Sequence, residues 1–244
     1  MRFWLAGVVL FTTIAARPVA APGFRDEQLL HPRVQAAYHD AWPALRSLLR
    51  AHAIEPSQLE VFFRVFKVGT RLEVWARNRT DASFQLLKTY PLAGTSGTLG
   101  PKRREGDGQV PEGFYRIDRF NPESLYHLSL GLDYPNAADR LLGSAKPGGD
   151  IFIHGSNVTI GCLPITDAGI REVYVLATEA RHAGQTDLQV HIFPFELTDE
   201  QLQRRRGSVH YAFWQSLAAG YRQFAKHHTL PTVQVEPGGA YVVR

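Results

Sequence analysis

The stretch LEVFFRVFKVGTRLEVWARNRTDASFQLLKTYP, residues 59–91, decides the fold class of this chain. It contains three short runs rich in β-branched and aromatic residues, which favour strands: Val61–Lys67, Leu72–Ala76 and Phe84–Tyr90. Turn-forming residues separate the runs, with Gly69-Thr70 in the first gap and Asn78-Arg79-Thr80-Asp81 in the second. The stretch therefore predicts a β-meander with tight turns.

Helical periodicity flanks this meander. Apolar residues recur at helical spacing over Asp26–His52, where Pro43 is expected to break the helix or begin a new first turn. The predicted fold class is α+β, mainly β with flanking helices. Later strands are predicted at Phe114–Phe120, Asp150–His154 and Leu188–Phe195. Later helices are predicted at Ala137–Gly143, at Ala168–Arg181 with Asp167 as its N-cap, at a segment that begins with Thr198, and at Val209–His227. A hairpin is predicted at Val233–Val243.

A chain of 244 residues suits one fair-sized domain with extensions. The predicted segments are a signal peptide at 1–21, an N-terminal helical segment at 22–58, a mainly β domain at 59–196, and a C-terminal helical extension with a terminal hairpin at 197–244. The net charge of +4 is mild. Its dense basic clusters, Lys102–Arg104 and Arg204–Arg206, are not interleaved with aromatic residues, so no nucleic-acid partner is expected.

The N-terminus has the pattern of an export signal. Arg2 supplies a positive charge, Phe3–Ile14 is apolar, and Ala20 and Ala21 lie near a plausible cleavage point. We therefore expect the mature protein in the periplasm or cell envelope. An uncleaved N-terminal membrane anchor is the alternative. A lone cysteine in such an oxidising compartment is a liability unless it is useful or buried.

That cysteine, Cys162, lies eight residues after His154, which ends an apolar run. An imidazole can activate a thiol to attack an amide or ester carbonyl. Backbone N–H groups at Gly161 and Cys162 are the expected oxyanion donors, and the Gly155 carbonyl can orient the histidine. The remaining candidates for tuning or substrate binding are Ser156 and Thr159.

Other interpretations of these residues stay open at this point. Cys162 could be a small buried hydrophobe and His154 a core histidine with satisfied hydrogen bonds. Zinc is not favoured, because one cysteine and one histidine leave at least two ligands missing. We expect no metal and no cofactor. The glycine- and proline-rich segment 91–113 cannot form regular structure, and it is predicted to be the rim of a binding cleft.

The segments around Cys162 resemble the YkuD-type L,D-transpeptidase catalytic domain family, and more closely its YafK-like murein L,D-transpeptidase branch. The matching motifs at the site are Ile153-His154-Gly155, Gly161-Cys162, Thr166-Asp167 and Tyr174-Val175-Leu176. Further matches include Lys88–Pro91, Ser96–Lys102, Glu105–Gly108, Pro111–Tyr115, Leu132–Asn136, Asp139-Arg140 and the stretch from Phe213 to Phe224. The resemblance covers roughly residues 60–244.

The resemblance implies that residues 59–196 are an L,D-transpeptidase catalytic domain with a YkuD-type β-sandwich core. It also implies an exported cysteine enzyme acting on peptidoglycan peptide stems at diaminopimelate. Cys162 would be the nucleophile that forms an acyl-thioester, His154 the proton acceptor and donor, and Gly155 the carbonyl that orients the histidine. The expected partners are peptide stems and, in some members of the branch, a wall-linked lipoprotein.

The site also departs from the wider family pattern. In that family, the motif Ser-His-Gly-Cys precedes a basic residue. This chain has Thr159-Ile160-Gly161-Cys162 at that place, followed by Leu163. The second histidine and the arginine, which could bind a substrate carboxylate, are both absent. The sequence therefore leaves three functions open: a transpeptidase, a cysteine hydrolase or amidase that uses water, and a non-catalytic wall-binding module.

Overall fold

The computed structural model describes residues 23–244 and consists of one large sheet covered by helices. The strands are β1 Leu59–Phe66, β2 Arg71–Asn78, β3 Gln85–Pro91, β4 Gly113–Asn121, β5 Ser129–Leu132, β6 Phe152–His154, β7 Leu163–Pro164, β8 Gln189–Phe193, β9 Val233–Val235 and β10 Tyr241–Val243. The helices are α1 Phe24–Gln28, α2 Pro32–Ala51, a 3₁₀ turn at Pro56–Gln58, α3 Ala137–Leu142, α4 Thr166–His182, α5 Asp199–Gln203 and α6 Tyr211–His227.

Eight strands form a curled half-barrel in the order β3-β2-β1-β8-β4-β5-β6-β7. The predicted meander is confirmed, because β1 pairs antiparallel with β2 and β2 with β3. Strand β4 joins the two halves of the sheet: Gly113–Arg116 pairs with β8, and Ile117–Asn121 pairs with β5. Strands β9 and β10 form the predicted terminal hairpin. The mainly β fold with flanking helices is thus confirmed.

Strand β1 is buried on both faces, which explains its nearly continuous apolar sequence. Val61, Phe63 and Val65 belong to the main core, which α2 and α4 cover. Phe62 and Phe66 point to the opposite face, against aromatic side chains of α6. The C-terminal extension therefore completes the burial of the central strand.

Two helix predictions were wrong in detail. The predicted helix 26–52 is two helices, interrupted after Gln28, and Pro43 lies inside α2 without ending it. Proline removes one helical hydrogen bond, but Pro43 is on the exposed face, where water can bind the freed carbonyl.

The helix after the cysteine, α4, does not use Asp167 as its N-cap. It begins at Thr166, whose hydroxyl accepts from the Gly169 N–H at 3.2 Å. The Asp167 carboxylate instead accepts from the Ser156 N–H at 2.8 Å. The helix thus starts two residues earlier than predicted, and Asp167 in its first turn binds the loop that follows His154.

The predicted signal peptide lies outside the described residues. Within residues 23–244, no helix has both the length and the apolar character needed to span a bilayer.

Candidate active site

The pairing of two short strands brings His154 and Cys162 to the same cavity. Strands β6 and β7 run parallel, and Ile153 pairs with Leu163. Both of these side chains are fully buried in the main core. Because side chains alternate along a strand, His154 points to the face opposite Ile153. Cys162 directly precedes Leu163, and it lines the same cavity as His154. The eight-residue spacing is therefore the length of a loop that brings the two side chains together.

His154 is held in one tautomer. Its Nδ1 lies 2.6 Å from the carbonyl oxygen of Gly155, and because a carbonyl only accepts, Nδ1 carries the proton. The ring also stacks on Tyr126, with centroids 4.6 Å apart. Within residues 23–244, Nε2 makes no hydrogen bond, so its lone pair is free to take a proton.

Glycine is required at position 155 by close packing. A Cβ there would lie 2.5 Å from the Asp167 carboxylate and 2.6 Å from the Tyr126 carbonyl oxygen. The Gly155 N–H also donates to that Tyr126 carbonyl at 3.0 Å. The backbone of Gly155, whose carbonyl orients His154, is therefore tightly packed between Asp167 and Tyr126.

The Cys162 thiol is half-buried and donates to the Asp150 carbonyl oxygen at 3.5 Å. Burial raises the pKa of this thiol and the charge of Asp150 adds to the increase, while the Phe152 backbone and Lys102 oppose it. Burial likewise lowers the pKa of His154, against the Gly155 hydrogen bond. Both shifts favour neutral groups, so the resting pair is thiol and imidazole.

Thr159 closes the turn that carries the cysteine. Its hydroxyl accepts from the Cys162 N–H and donates to the Cys162 carbonyl, each at 2.8 Å. The Gly161 N–H donates to the Ser96 hydroxyl at 2.7 Å. Both N–H groups predicted as oxyanion donors therefore have acceptors in this structure, and a substrate oxygen would have to displace these hydroxyls. Ser156, the remaining candidate, donates its backbone N–H to the Asp167 carboxylate.

Two cavities meet at Cys162. A loop-side cavity of about 230 Å³ is lined by the predicted rim segment, including Gly94, Ser96 and Leu99. A histidine-side cavity of about 260 Å³ is lined by Tyr126, Asp150 and His154, among others. Substrate groups can therefore reach the sulfur from two directions.

Three contacts of this site were not predicted from the sequence: Ser96, Tyr126 and Asp150. Each of them is distant from Cys162 in the chain or lies in an irregular segment. Only Ser96 could have been suspected from the sequence, because it lies in the glycine-rich segment that was predicted to border the cleft. In the part of the chain that the structure describes, no three His, Cys, Asp or Glu side chains cluster in a way that could hold a metal ion.

Comparisons with known proteins find relatives of this chain. The model of the YkuD L,D-transpeptidase catalytic domain matches residues 64–192. The Escherichia coli (strain K12) protein named "Putative L,D-transpeptidase YafK" is 38% identical over 185 residues, 75% of this chain and 73% of that protein. Among solved structures, the helical cell shape determining protein Pgp2 of Campylobacter jejuni is similar with a TM-score of 0.44 and 17% identity, over 74% of each chain.

A further similar structure is the L,D-transpeptidase 1 of Mycobacterium tuberculosis, with a TM-score of 0.31 and 10% identity over 55% of this chain and 62% of that one. The family model spans more than half of the described residues, and it includes both His154 and Cys162. The Escherichia coli relative extends the match over three quarters of the chain. The chain therefore belongs to the L,D-transpeptidase family, whose members carry the YkuD catalytic domain and act in cell wall metabolism.

Proposed function

We propose that this protein is a cysteine acyltransferase that acts on peptidoglycan peptide stems. The observation that carries the proposal is the tautomer of His154: the Gly155 carbonyl holds the proton on Nδ1 and leaves Nε2 unprotonated, and His154 lines the same cavity as Cys162. A neutral imidazole in that orientation is a general base for a neutral thiol.

In the proposed reaction, His154 takes the Cys162 proton as the sulfur attacks a stem carbonyl at a diaminopimelate residue. The amine on the far side of that carbonyl leaves with the proton from His154, and a thioester remains on Cys162. An acceptor amine then attacks the thioester and restores the thiol. The family membership supports the substrate class, and the two cavities offer separate approaches for donor and acceptor.

A cysteine hydrolase or amidase is the second candidate function. Water can replace the amine, in which case the enzyme trims stems or releases a stem-linked lipoprotein. The specific observation in its favour is the histidine-side cavity, because it is lined by both His154 and Cys162 and can hold water beside them.

Purified muropeptides of defined stem length test the proposal. Intact-protein mass spectrometry should show an acyl adduct on Cys162, and products made with an added amine should contain exchanged or crosslinked stems. Trimmed stems alone, at every amine concentration, would establish the hydrolase instead. Absence of any adduct or product would contradict both functions and favour a wall-binding module.

We also propose that residues 1–21 are an export signal and that the mature protein acts in the periplasm or cell envelope. The apolar run Phe3–Ile14 behind Arg2 is the supporting pattern. Expressed from its full coding sequence, the protein should appear in the envelope fraction with an N-terminus near residue 22. Recovery of the intact chain from the cytoplasm would exclude export, whereas an intact chain in the membrane fraction would identify an anchor.

A further inference from the structure

The loop that follows His154 is tied to the start of helix α4 by three hydrogen bonds. The Ile165 N–H donates to the His154 carbonyl at 2.9 Å, and the Thr166 N–H donates to the Ser156 carbonyl at 3.1 Å. The third bond runs the other way, from the Ser156 N–H to Oδ1 of Asp167 at 2.8 Å. Only this third bond uses a side chain, so a substitution can remove it and leave the other two in place.

The bond to Asp167 is made by the same peptide group that orients His154. The Ser156 N–H and the Gly155 carbonyl belong to one planar trans peptide, in which the two groups point in opposite directions. Asp167 holds the N–H on one side, and the carbonyl accepts from Nδ1 of His154 at 2.6 Å on the other. Rotation of this peptide would break both bonds, so the carboxylate fixes the direction of the carbonyl.

This peptide group depends on support from outside the loop. Ser156 has a φ of 63°, in the left-handed region that is unfavourable for a residue with a Cβ. Among residues 23–244, the Ser156 N–H has no acceptor other than Asp167, and the Gly155 carbonyl has no donor other than His154. The Gly155 N–H, which donates to the Tyr126 carbonyl at 3.0 Å, belongs to the preceding peptide. It cannot replace the carboxylate.

The position of Asp167 separates this role from substrate binding. Asp167 is an exposed residue in the first turn of α4, and it lines neither of the two cavities that meet at Cys162. In the part of the chain that the structure describes, its carboxylate forms no ion pair and no hydrogen bond besides the one to Ser156. Its contact with the site therefore passes through the Gly155–Ser156 peptide.

We propose that Asp167 is a positioning residue for the reaction at Cys162. Through the Gly155–Ser156 peptide it keeps the proton of His154 on Nδ1 and leaves Nε2 able to accept the thiol proton. A hydrogen bond to a carboxylate also polarises the peptide, which makes its carbonyl a stronger acceptor for Nδ1–H. The effect on catalysis rests on the proposed acyltransferase function, whereas the effect on the tautomer does not.

Nuclear magnetic resonance of the histidine ring tests this role without any substrate. In protein carrying isotopically labelled histidine, at a pH where the imidazole is neutral, the nitrogen shifts show which ring nitrogen bears the proton. The signals of His154 are those that disappear in His154→Gln. The wild type should show the proton on Nδ1. In Asp167→Ala, the population of that tautomer is expected to fall by about twofold or more, because its carbonyl partner is no longer held.

Kinetics measure the consequence for the reaction. Asp167→Ala is expected to lower kcat for muropeptides about tenfold and to leave KM unchanged, because the residues that line the cavities stay intact. Asp167→Asn keeps an oxygen that can accept the Ser156 N–H, so it should retain the wild-type tautomer and most of kcat. Asp199→Ala is the matched control. Asp199 is likewise an acidic residue in the first turn of a helix, α5, and its removal should change neither measurement.

An unchanged tautomer in Asp167→Ala would overturn the inference, and so would equal losses in Asp199→Ala. Equal losses in Asp167→Ala and Asp167→Asn would overturn it as well, because charge and not the hydrogen bond would then be responsible. If Asp167→Ala does not fold, Asp167→Ser, whose side chain is too short to place an acceptor at the same point, replaces it in both measurements. Absence of any thioester in the wild type would refute the acyltransferase function, while the resonance measurement would still decide whether Asp167 sets the tautomer.

Discussion

Replacing Cys162 by alanine is expected to abolish acyl-enzyme formation and to lower turnover of muropeptides by about 10⁴-fold or more. The reason is chemical, since no other thiol exists in the chain and none of the neighbouring hydroxyls contacts Nε2 of His154 among the described residues. Product formation by chromatography and adduct formation by mass spectrometry give two independent measurements. Full activity of Cys162→Ala would refute the proposed mechanism.

Cys162→Ser is the conservative control. It keeps the shape of the side chain but replaces the thiol by a far weaker nucleophile, so activity should remain very low. Its thermal midpoint should stay close to that of the wild type, because the Thr159 hydrogen bonds to the Cys162 backbone do not involve sulfur. A large loss of stability in both variants would support the alternative interpretation of the sequence, in which Cys162 is a small buried hydrophobe of the core.

The same thiol should show an unusual pH dependence. Because burial raises the pKa of Cys162, the thiolate fraction at neutral pH is smaller than that of an ordinary thiol, whose pKa is about 8.5. The alkylation rate of the free enzyme with iodoacetamide should therefore keep rising above pH 8.5. A plateau below pH 7 would instead indicate a preformed thiolate–imidazolium pair.

The second large effect is expected at Glu112, which connects the rim of the cleft to the C-terminal extension. This carboxylate is completely buried and accepts three hydrogen bonds: from Lys67 at 2.9 Å, the Gly100 N–H at 2.8 Å and the Trp214 indole at 2.9 Å. Lys67 also donates to the Gly100 and Val110 carbonyls. Glu112 thereby holds the loop that lines the loop-side cavity.

Glu112→Ala is expected to lower the free energy of unfolding by about 3–5 kcal/mol, because it leaves the buried Lys67 ammonium without its counter-charge. Trp214→Phe removes one hydrogen bond to the carboxylate and should cost about 1–3 kcal/mol. Urea unfolding measures both changes. In Trp214→Phe, the kcat/KM for muropeptides should also fall, because the loop beside Cys162 loses one of its supports.

Trp42→Phe is the control for the loss of an indole ring. Trp42 packs against the main core, but among residues 23–244 its ring N–H has no hydrogen-bond acceptor. It should lose some stability with no change in kcat/KM. Equal effects on kcat/KM in Trp42→Phe and Trp214→Phe would show that the loop does not depend on the Glu112 hydrogen bonds.

Local patterns were sufficient for most of the fold. Each strand of the meander is a short apolar run between turn residues, and α6 has a continuous apolar face, so both could be predicted without knowledge of the rest of the chain. Strand β5 was missed because its four residues, Ser129–Leu132, are too few to show a period. Pro43 was misjudged because its effect depends on which face of α2 meets water.

By itself, the sequence determined the mainly β class, the pairing of His154 with Cys162 as candidates, and the resemblance to the family. These follow from composition, periodicity and motifs, which are properties of neighbouring residues. Tertiary structure decided the tautomer of His154, the occupied N–H groups of Gly161 and Cys162, the placement of Asp150 beside the sulfur, and the burial of Glu112. Each of these depends on strand register or on contacts between segments far apart in the chain, and no local pattern encodes such distances.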